Sequence, residues 1–273
     1  MNLESLHIKN LWGTFEQYKK NKLRGCETGL KCLDRLILGL HGTMTIQGGT
    51  GCNKSTLALQ IAVHHATKTG PVLFFDRENG INRILERLAC QLTPCSAMQL
   101  QTGAVDITQT REFINKRPFH VFTDGNLEML DLVIGQCREK WPERTTLLVV
   151  DSLQALPIIA DKENISIGNW MNGLDSLKLK YDPHLVMIVT SEKTKGGYDS
   201  VSEVAGYGSN KIGYKSELVL DMANNKETGQ LVCTISKDRD GPANCSINLQ
   251  RQMVDPMNPR SFSYKLEEAM DLV

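Results

Sequence analysis

The patterning of this chain predicts an α/β fold: a largely parallel central sheet flanked by helices, with antiparallel strands at its C-terminal end. Three features carry that prediction. Short apolar runs bounded by turn residues alternate with segments of helical periodicity, as buried parallel strands and their crossover helices do. One run, Thr43–Gln47, enters a glycine-rich loop that opens into an amphipathic segment from Leu57 to His65. The last apolar runs follow one another with no helix between them, which makes that edge antiparallel.

In chain order, strands are expected at Thr43–Gln47, Val72–Asp76, His120–Thr123, Thr146–Asp151, Leu185–Ser191, Leu218–Met222, Leu231–Ser236 and Ser246–Gln250. Helices lie between the early ones. In 126–141, Leu127, Leu130, Val133, Ile134, Cys137 and Trp141 share one face. In 164–181, Ile167, Trp170, Met171, Leu174 and Tyr181 do the same. Residues 1–24 stand apart as an N-terminal arm. Leu6, Ile8, Leu11, Trp12, Phe15 and Tyr18 recur near helical spacing ahead of a basic run, Lys19 to Lys22. The arm either folds onto its own domain or docks on a neighbouring subunit. Residues 25–273 form the main domain, and no internal repeat is present.

Composition narrows the function classes. The 31 basic and 31 acidic residues cancel, so no global basic field draws the chain to nucleic acid. Any such contact must come from local lysines and arginines. The eight cysteines include no C-x-x-C pair, and the closest two, Cys90 and Cys95, have no histidines at ligand spacing. Reduced thiols are expected rather than zinc or disulfides. Neither a signal peptide nor a bilayer-length apolar run is present, which predicts a cytoplasmic, nucleoid or organellar-matrix protein that is not secreted and has no membrane partner.

The chemistry concentrates in Gly48-Gly49-Thr50-Gly51-Cys52-Asn53-Lys54-Ser55-Thr56. This run fits the phosphate-loop pattern G-x-x-x-x-G-K-[ST], except that Asn53 stands before the lysine instead of glycine. Backbone N–H groups of such a loop point at phosphates, and the following helix N-terminus adds its dipole. Lys54 is the candidate for the β- and γ-phosphates of ATP, and Ser55 for Mg²⁺. Asn tolerates a left-handed backbone better than any residue but glycine, so the loop can still close. A second element is Thr146–Asp151, an apolar strand ending in an acid where a phosphate-loop fold places its Mg²⁺-holding Asp. A third is Val72–Asp76 continuing into Arg77-Glu78-Asn79. A carboxylate beyond that strand, Asp76 or Glu78, is placed to polarise an attacking water.

These motifs resemble the RecA/DnaB class of P-loop ATPases, and most closely the ATPase domain of DnaB-type replicative helicases, over roughly residues 25–265. Glu27-Thr-Gly-Leu-Lys-Cys-Leu-Asp34 followed by Gly39 is similar to the family segment before the first core strand. Phe75-Asp-Arg-Glu78 resembles the strand end bearing the catalytic glutamate, which maps to Glu78. Val150-Asp-Ser-Leu-Gln154 resembles the Mg²⁺ strand. Lys237-Asp-Arg-Asp-Gly-Pro242 is similar to a family turn that enters the adjacent subunit's site. The resemblance implies that Lys237 and Arg239 act in trans, Arg239 as an arginine finger. It also implies a homo-oligomeric ring, a hexamer, moving on single-stranded DNA in replication or repair. The DNA contacts would come from the loop after Leu185–Ser191, through Lys193, Lys195, Gly196, Gly197 and Lys211. Ser191-Glu192 departs from the helicase Ser-Gln pair and is more like the KaiC branch. A recombinase-like filament ATPase and a KaiC-like regulatory ATPase that does not bind DNA are therefore the alternatives.

Overall fold

The structure, a computed structural model, describes residues 25–93, 95–160, 162–193, 211–225, 230–255 and 262–269. The N-terminal arm lies outside these residues. The elements are α1 (Lys31–Ile37), β1 (Thr43–Gly48), α2 (Lys54–Lys68), β2 (Val72–Asp76), α3 (Ile81–Leu92), α4 (Ala97–Gln101), α5 (Thr108–Lys116), β3 (Phe119–Phe122), α6 (Leu127–Lys140), β4 (Thr146–Asp151), α7 (Glu163–Tyr181), β5 (Leu185–Glu192), α8 (Lys211–Lys215), β6 (Leu218–Asn224), β7 (Leu231–Asp238), β8 (Cys245–Met253) and β9 (Phe262–Glu268). A 3₁₀ turn, Leu153–Ala155, follows β4.

One sheet holds all nine strands in the order β3-β2-β4-β5-β1-β6-β7-β8-β9. Pairing is parallel from β3 to β6. It is antiparallel from β6 to β9. The predicted parallel core and antiparallel edge are both present. β9 was not among the expected strands. Ser263 is buried within it while Phe262, Tyr264 and Lys265 are only half-buried, so its sequence carries no clean apolar alternation.

Period-two alternation divides the core between the two faces. On one face Phe74, Leu147, Val149 and Ile188 pack with Leu57 and Ile61 of α2. On the other, Phe75, Leu148, Val150 and Met187 pack with Leu130 and Ile134 of α6 and Trp170 and Leu174 of α7. Each fully buried side chain of this size contributes about 1.5–3 kcal/mol. β1 is the exception among the central strands. Only Met44 and Ile46 are apolar on it, and its other face buries Thr43, Thr45 and Gln47. Two of these are matched across to the strand's neighbours: Thr45 Oγ1 lies 2.7 Å from Ser216 Oγ, and Gln47 Nε2 donates to Asp221 Oδ1 at 2.6 Å.

Parallel register brings the carboxyl ends of four strands to one edge. Asp76 is level with Asp151, and Gly48 with Glu192. The same edge receives the N-terminus of α2. This is where open α/β sheets bind ligands.

His65, buried on α2, has Nε2 2.9 Å from the Thr145 carbonyl oxygen. Burial is the main cause that lowers its pKa to about 4, against the partial support of that hydrogen bond. The unfolded chain therefore takes up a proton between about pH 6.5 and 4 that the folded chain refuses. Stability falls as pH drops through that window, by up to roughly 3 kcal/mol, and the loss levels off below it. Urea denaturation at pH 7 and pH 4.5 is expected to show this slope, and His65→Asn to flatten it. An equal slope in the variant would assign the pH dependence to other groups.

Candidate nucleotide site

The loop between β1 and α2 wraps a cleft at the carboxyl edge. Gly48 has no room for a side chain: a Cβ there would lie 2.3 Å from the Met222 carbonyl oxygen and 2.7 Å from Cys52 Sγ. Asn53 takes the left-handed conformation expected of it, φ 64° and ψ 26°, directly before α2 begins. Lys54 folds back over the loop, and Nζ donates to the carbonyls of Gly48 and Gly49 at 3.0 Å each. In this arrangement the ammonium is held over the concavity where a phosphate chain lies in such loops.

Ser55 and Asp151 meet although they are 96 positions apart: Ser55 Oγ donates to Asp151 Oδ1 at 3.0 Å. Thr190 Oγ1 donates to the same oxygen at 2.6 Å, and Asn79 Nδ2 approaches Oδ2 at 3.4 Å. Burial raises the Asp151 pKa. The Thr190 and Ser55 hydrogen bonds lower it, and Asp76 and Glu78 raise it again. A hydroxyl and a carboxylate converging beside Lys54 form a hard, all-oxygen donor set. That fits Mg²⁺, which takes one or two carboxylates and completes its shell with phosphates and water. Among the described residues no cluster of three or more His, Cys, Asp or Glu could cage an ion without those additions.

The structure separates the two acids at the end of β2, Asp76 within the strand and Glu78 past it. Asp76 is fully buried, and its carboxylate accepts the backbone N–H groups of Asn79 and Gly80 that lead into α3. It is consumed as a structural cap. Glu78 is exposed and lines the cleft with Thr50, Lys54 and Ser55. Glu192 also lines it, accepting from Thr50 Oγ1 at 3.1 Å. Gln154 braces this strand end, with Nε2 donating to Ser191 Oγ at 2.9 Å and Oε1 accepting from Glu192 N at 3.2 Å.

Sequence reasoning missed Arg83, Arg87 and Arg251, all of which line the same cleft of about 290 Å³. Arg83 and Arg87 stand one helical turn apart on α3, a spacing that was available as a signal. The Arg87 guanidinium lies over the Tyr264 ring at 5.6 Å, and its buried Nε and Nη1 have no protein hydrogen-bond partner. With Lys54, four cations face two acids, Glu78 and Glu192, among the lining residues. The imbalance suits a polyanion.

The model of the DnaB-like helicase C-terminal domain matches residues 25–190, more than half of the chain. The protein belongs to the DnaB-like helicase C-terminal domain family. A search of curated proteins finds no match. Among solved structures, one ATPase domain superposes with a TM-score of 0.81 at 16% identity, over 97% of this chain and 99% of that one. A DnaB-like replicative helicase, described with its interactions with primase, gives 0.77 at 16% identity over 90% of this chain and 64% of that one. A KaiC-like protein from Pyrococcus horikoshii OT3 gives 0.62 at 16% identity over 91% and 100%. At these identities the likeness is one of fold, and the fold is RecA-like.

The remaining predicted residues of this DnaB-like domain lie elsewhere. β7 runs antiparallel to β6, and Asp238 is level with Leu218, which is level with Met44. Lys237 and Arg239 therefore sit toward the amino edge of the sheet, about 13 Å along the strands from Gly48 and two strands across. Both are tied to the end of α8. Lys237 Nζ donates to the Gly213 and Ser216 carbonyls at 2.6 Å, and Arg239 Nη2 to the Tyr214 carbonyl at 2.6 Å. Burial and repulsion from Arg239 lower the Lys237 pKa, against attraction by Glu217. Lys193 directly follows β5 and pairs with Asp221 at 3.1 Å. Lys211 opens α8 and packs beside Gly168. Lys195, Gly196 and Gly197 lie outside the described residues.

The left-handed Asn53 makes a direct prediction. Asn53→Gly keeps the required φ and is expected to bind nucleotide within a few-fold of wild type. Asn53→Val places a β-branched residue at positive φ and is expected to lose binding while retaining a cooperative thermal transition. Equal affinity in the Val variant, measured by calorimetry, would show that the loop closes in another way.

Proposed function

We propose that this chain binds ATP with Mg²⁺ and hydrolyses it at interfaces between subunits of a homo-oligomeric ring, a hexamer, to translocate on or unwind DNA in replication or repair. The observation that carries the reading is the convergence of Lys54, Ser55, Asp151 and Glu78 at one sheet edge, with Lys237 and Arg239 held away from it. Bound Mg²⁺ would neutralise charge on the phosphates, held through Ser55 and Asp151. Lys54 binds and orients the β- and γ-phosphates. Glu78, exposed in the cleft, takes the proton of the attacking water, and Asp76 is too fully hydrogen-bonded to share that role. Arg87, which lines the same cleft, adds its charge to the binding of the same anion. Lys237 and Arg239 supply charge to a neighbour's γ-phosphate, because their place at the far edge keeps them from their own cleft. Lys193, Lys195, Gly196, Gly197 and Lys211 contact single-stranded DNA from the segment after β5. Family membership supports the motor reading over a recombinase-like filament.

Glu192 favours one second reading. It belongs to the Ser191-Glu192 pair that is more like the KaiC branch, and it reaches the phosphate cleft bonded to Thr50, which suits a KaiC-like regulatory ATPase without DNA binding. Turnover assays with and without single-stranded DNA separate the two. Stimulation that weakens with salt supports the motor. ATP hydrolysis indifferent to DNA, with no DNA retained at low salt, favours the regulatory ATPase.

Lys54→Ala is expected to remove nucleotide binding. Glu78→Gln is expected to keep it while slowing hydrolysis by about 10²–10⁴-fold, the usual contribution of a general base. Wild-type hydrolysis in Glu78→Gln would end its assignment.

Arg239→Ala is expected to lose roughly 10³–10⁵ in turnover with ATP binding intact. Mixed with Lys54→Ala subunits it should regain activity, since some interfaces then pair an intact Lys54 with an intact Arg239. Co-assembled mixtures that stay inactive would exclude catalysis in trans.

A further inference from the structure

The contact between Arg251 and Asn53 ties the one departure in the phosphate loop to a distant strand. Asn53 replaces the loop glycine, and its amide oxygen accepts two hydrogen bonds from Arg251, from Nε at 3.0 Å and Nη2 at 2.5 Å. Arg251 comes from β8, 198 positions along the chain, so no local turn dictates the pairing. Asn53 Oδ1 has one other neighbour among the described residues, Thr56 Oγ1, at 3.5 Å. Arg251 is exposed, and a surface arginine spends side-chain entropy to be held in one place.

Its position gives that restraint a use. Arg251, Asn53 and Gly51 line the phosphate cleft, and all three also line a second, larger cavity of about 630 Å³ that includes Leu231, Met253 and Phe262. The two spaces meet at these residues. A ligand whose terminal phosphates lie at Lys54 and Ser55 and whose remainder occupies the larger cavity must cross beside Arg251. For a nucleotide lying that way, the group at the crossing would be the start of the phosphate chain, the α-phosphate. Two guanidinium hydrogen bonds to a neutral amide oxygen do not compensate the charge of Arg251, and the nearest anion a bound nucleotide would bring is that phosphate.

We propose that Arg251 is a nucleotide-binding residue supplied by the same subunit, held by Asn53 against the α-phosphate position. This rests on the ATP-binding reading above. Asn53 then does two things at once: it keeps the left-handed turn, as glycine would, and it carries an acceptor, which glycine lacks, that aims the arginine. Because the α-phosphate is common to both nucleotides, Arg251 serves ATP and ADP alike. That distinguishes it from a finger acting on the γ-phosphate.

The test measures ATP and ADP affinity by calorimetry on the full chain. The forms compared are wild type, Arg251→Gln, Arg251→Lys, Lys54→Ala, and Arg251→Gln in an Asn53→Gly background. Arg251→Gln is expected to weaken both nucleotides equally, by roughly 10- to 100-fold, the range of a charge-assisted hydrogen bond. It should also reduce the salt dependence of binding, and Arg251→Lys should recover part of the loss. If Arg251 only props the loop, the Gln substitution is silent once Asn53→Gly removes the need for a prop; we expect the loss to persist there. Wild-type affinity in Arg251→Gln, a loss confined to ATP, or silence in the Asn53→Gly background would each overturn the proposal. If Lys54→Ala retains full affinity, the ATP-binding reading itself fails. If Lys54→Ala loses binding and Arg251→Gln does not, only the role of Arg251 falls.

Discussion

The parallel pairing of β1 with both β5 and β6, and of β4 with both β2 and β5, is the constraint on which the rest of this molecule depends. Parallel strands cannot be joined by hairpins, so each return passes over a face of the sheet and every strand starts from the same side. Their carboxyl ends then arrive together without any long-range signal beyond the register. Gly48, Asp76, Asp151 and Glu192 are neighbours for this reason alone. Shifting β4 by one residue would exchange Leu148 and Val150 with Leu147 and Val149 between the two cores and turn Asp151 away from Ser55. Packing and site geometry are thus set by one register.

The edge so formed gathers charge under differing degrees of burial. Asp76 and Asp151 are both fully buried at adjacent strand ends, yet they are used differently. Backbone N–H groups at the start of α3 absorb Asp76, and hydroxyls from Ser55 and Thr190 meet Asp151. Hydroxyls can rotate away when a stronger partner arrives, whereas backbone amides cannot. The difference leaves Asp151 available to a cation and Asp76 committed to the fold.

Most of the fold could be read from the chain because its signals are local. The continuous burial of β2 and β4 follows from apolar runs, and α6 and α7 from one-sided stripes that predicted their ends to within a residue. Asn53 was legible because few residues other than glycine tolerate its φ. The pairing of Ser55 with Asp151 was legible because the phosphate loop and the acidic strand end imply each other. The commitment of Asp76 to the backbone was not, since it depends on which amides the start of α3 presents, and only the family resemblance points to Glu78. Arg251 was invisible for a related reason. It lies on a half-exposed strand with ordinary neighbours, and only the folding of β8 beside the loop gives it meaning. β9 was missed because its contacts, such as Gln60 Nε2 to the Leu266 carbonyl at 2.8 Å, bind it to α2 through backbone groups that side-chain patterning does not report.

The attachment of Lys237 and Arg239 to α8 has a mechanical consequence. Three hydrogen bonds from two cations end on the carbonyls of Gly213, Tyr214 and Ser216, so these side chains hold the final turn of a five-residue helix rather than hanging free. Hydrogen bonds of this kind behave as a hinge pin. A displacement of α8 either carries the two cations with it or frees them, and a strong anion that draws the cations away leaves the helix end without its anchors. The position of residues 211–215 and the reach of Lys237 and Arg239 are therefore a single degree of freedom, and whatever moves one must do work against the other.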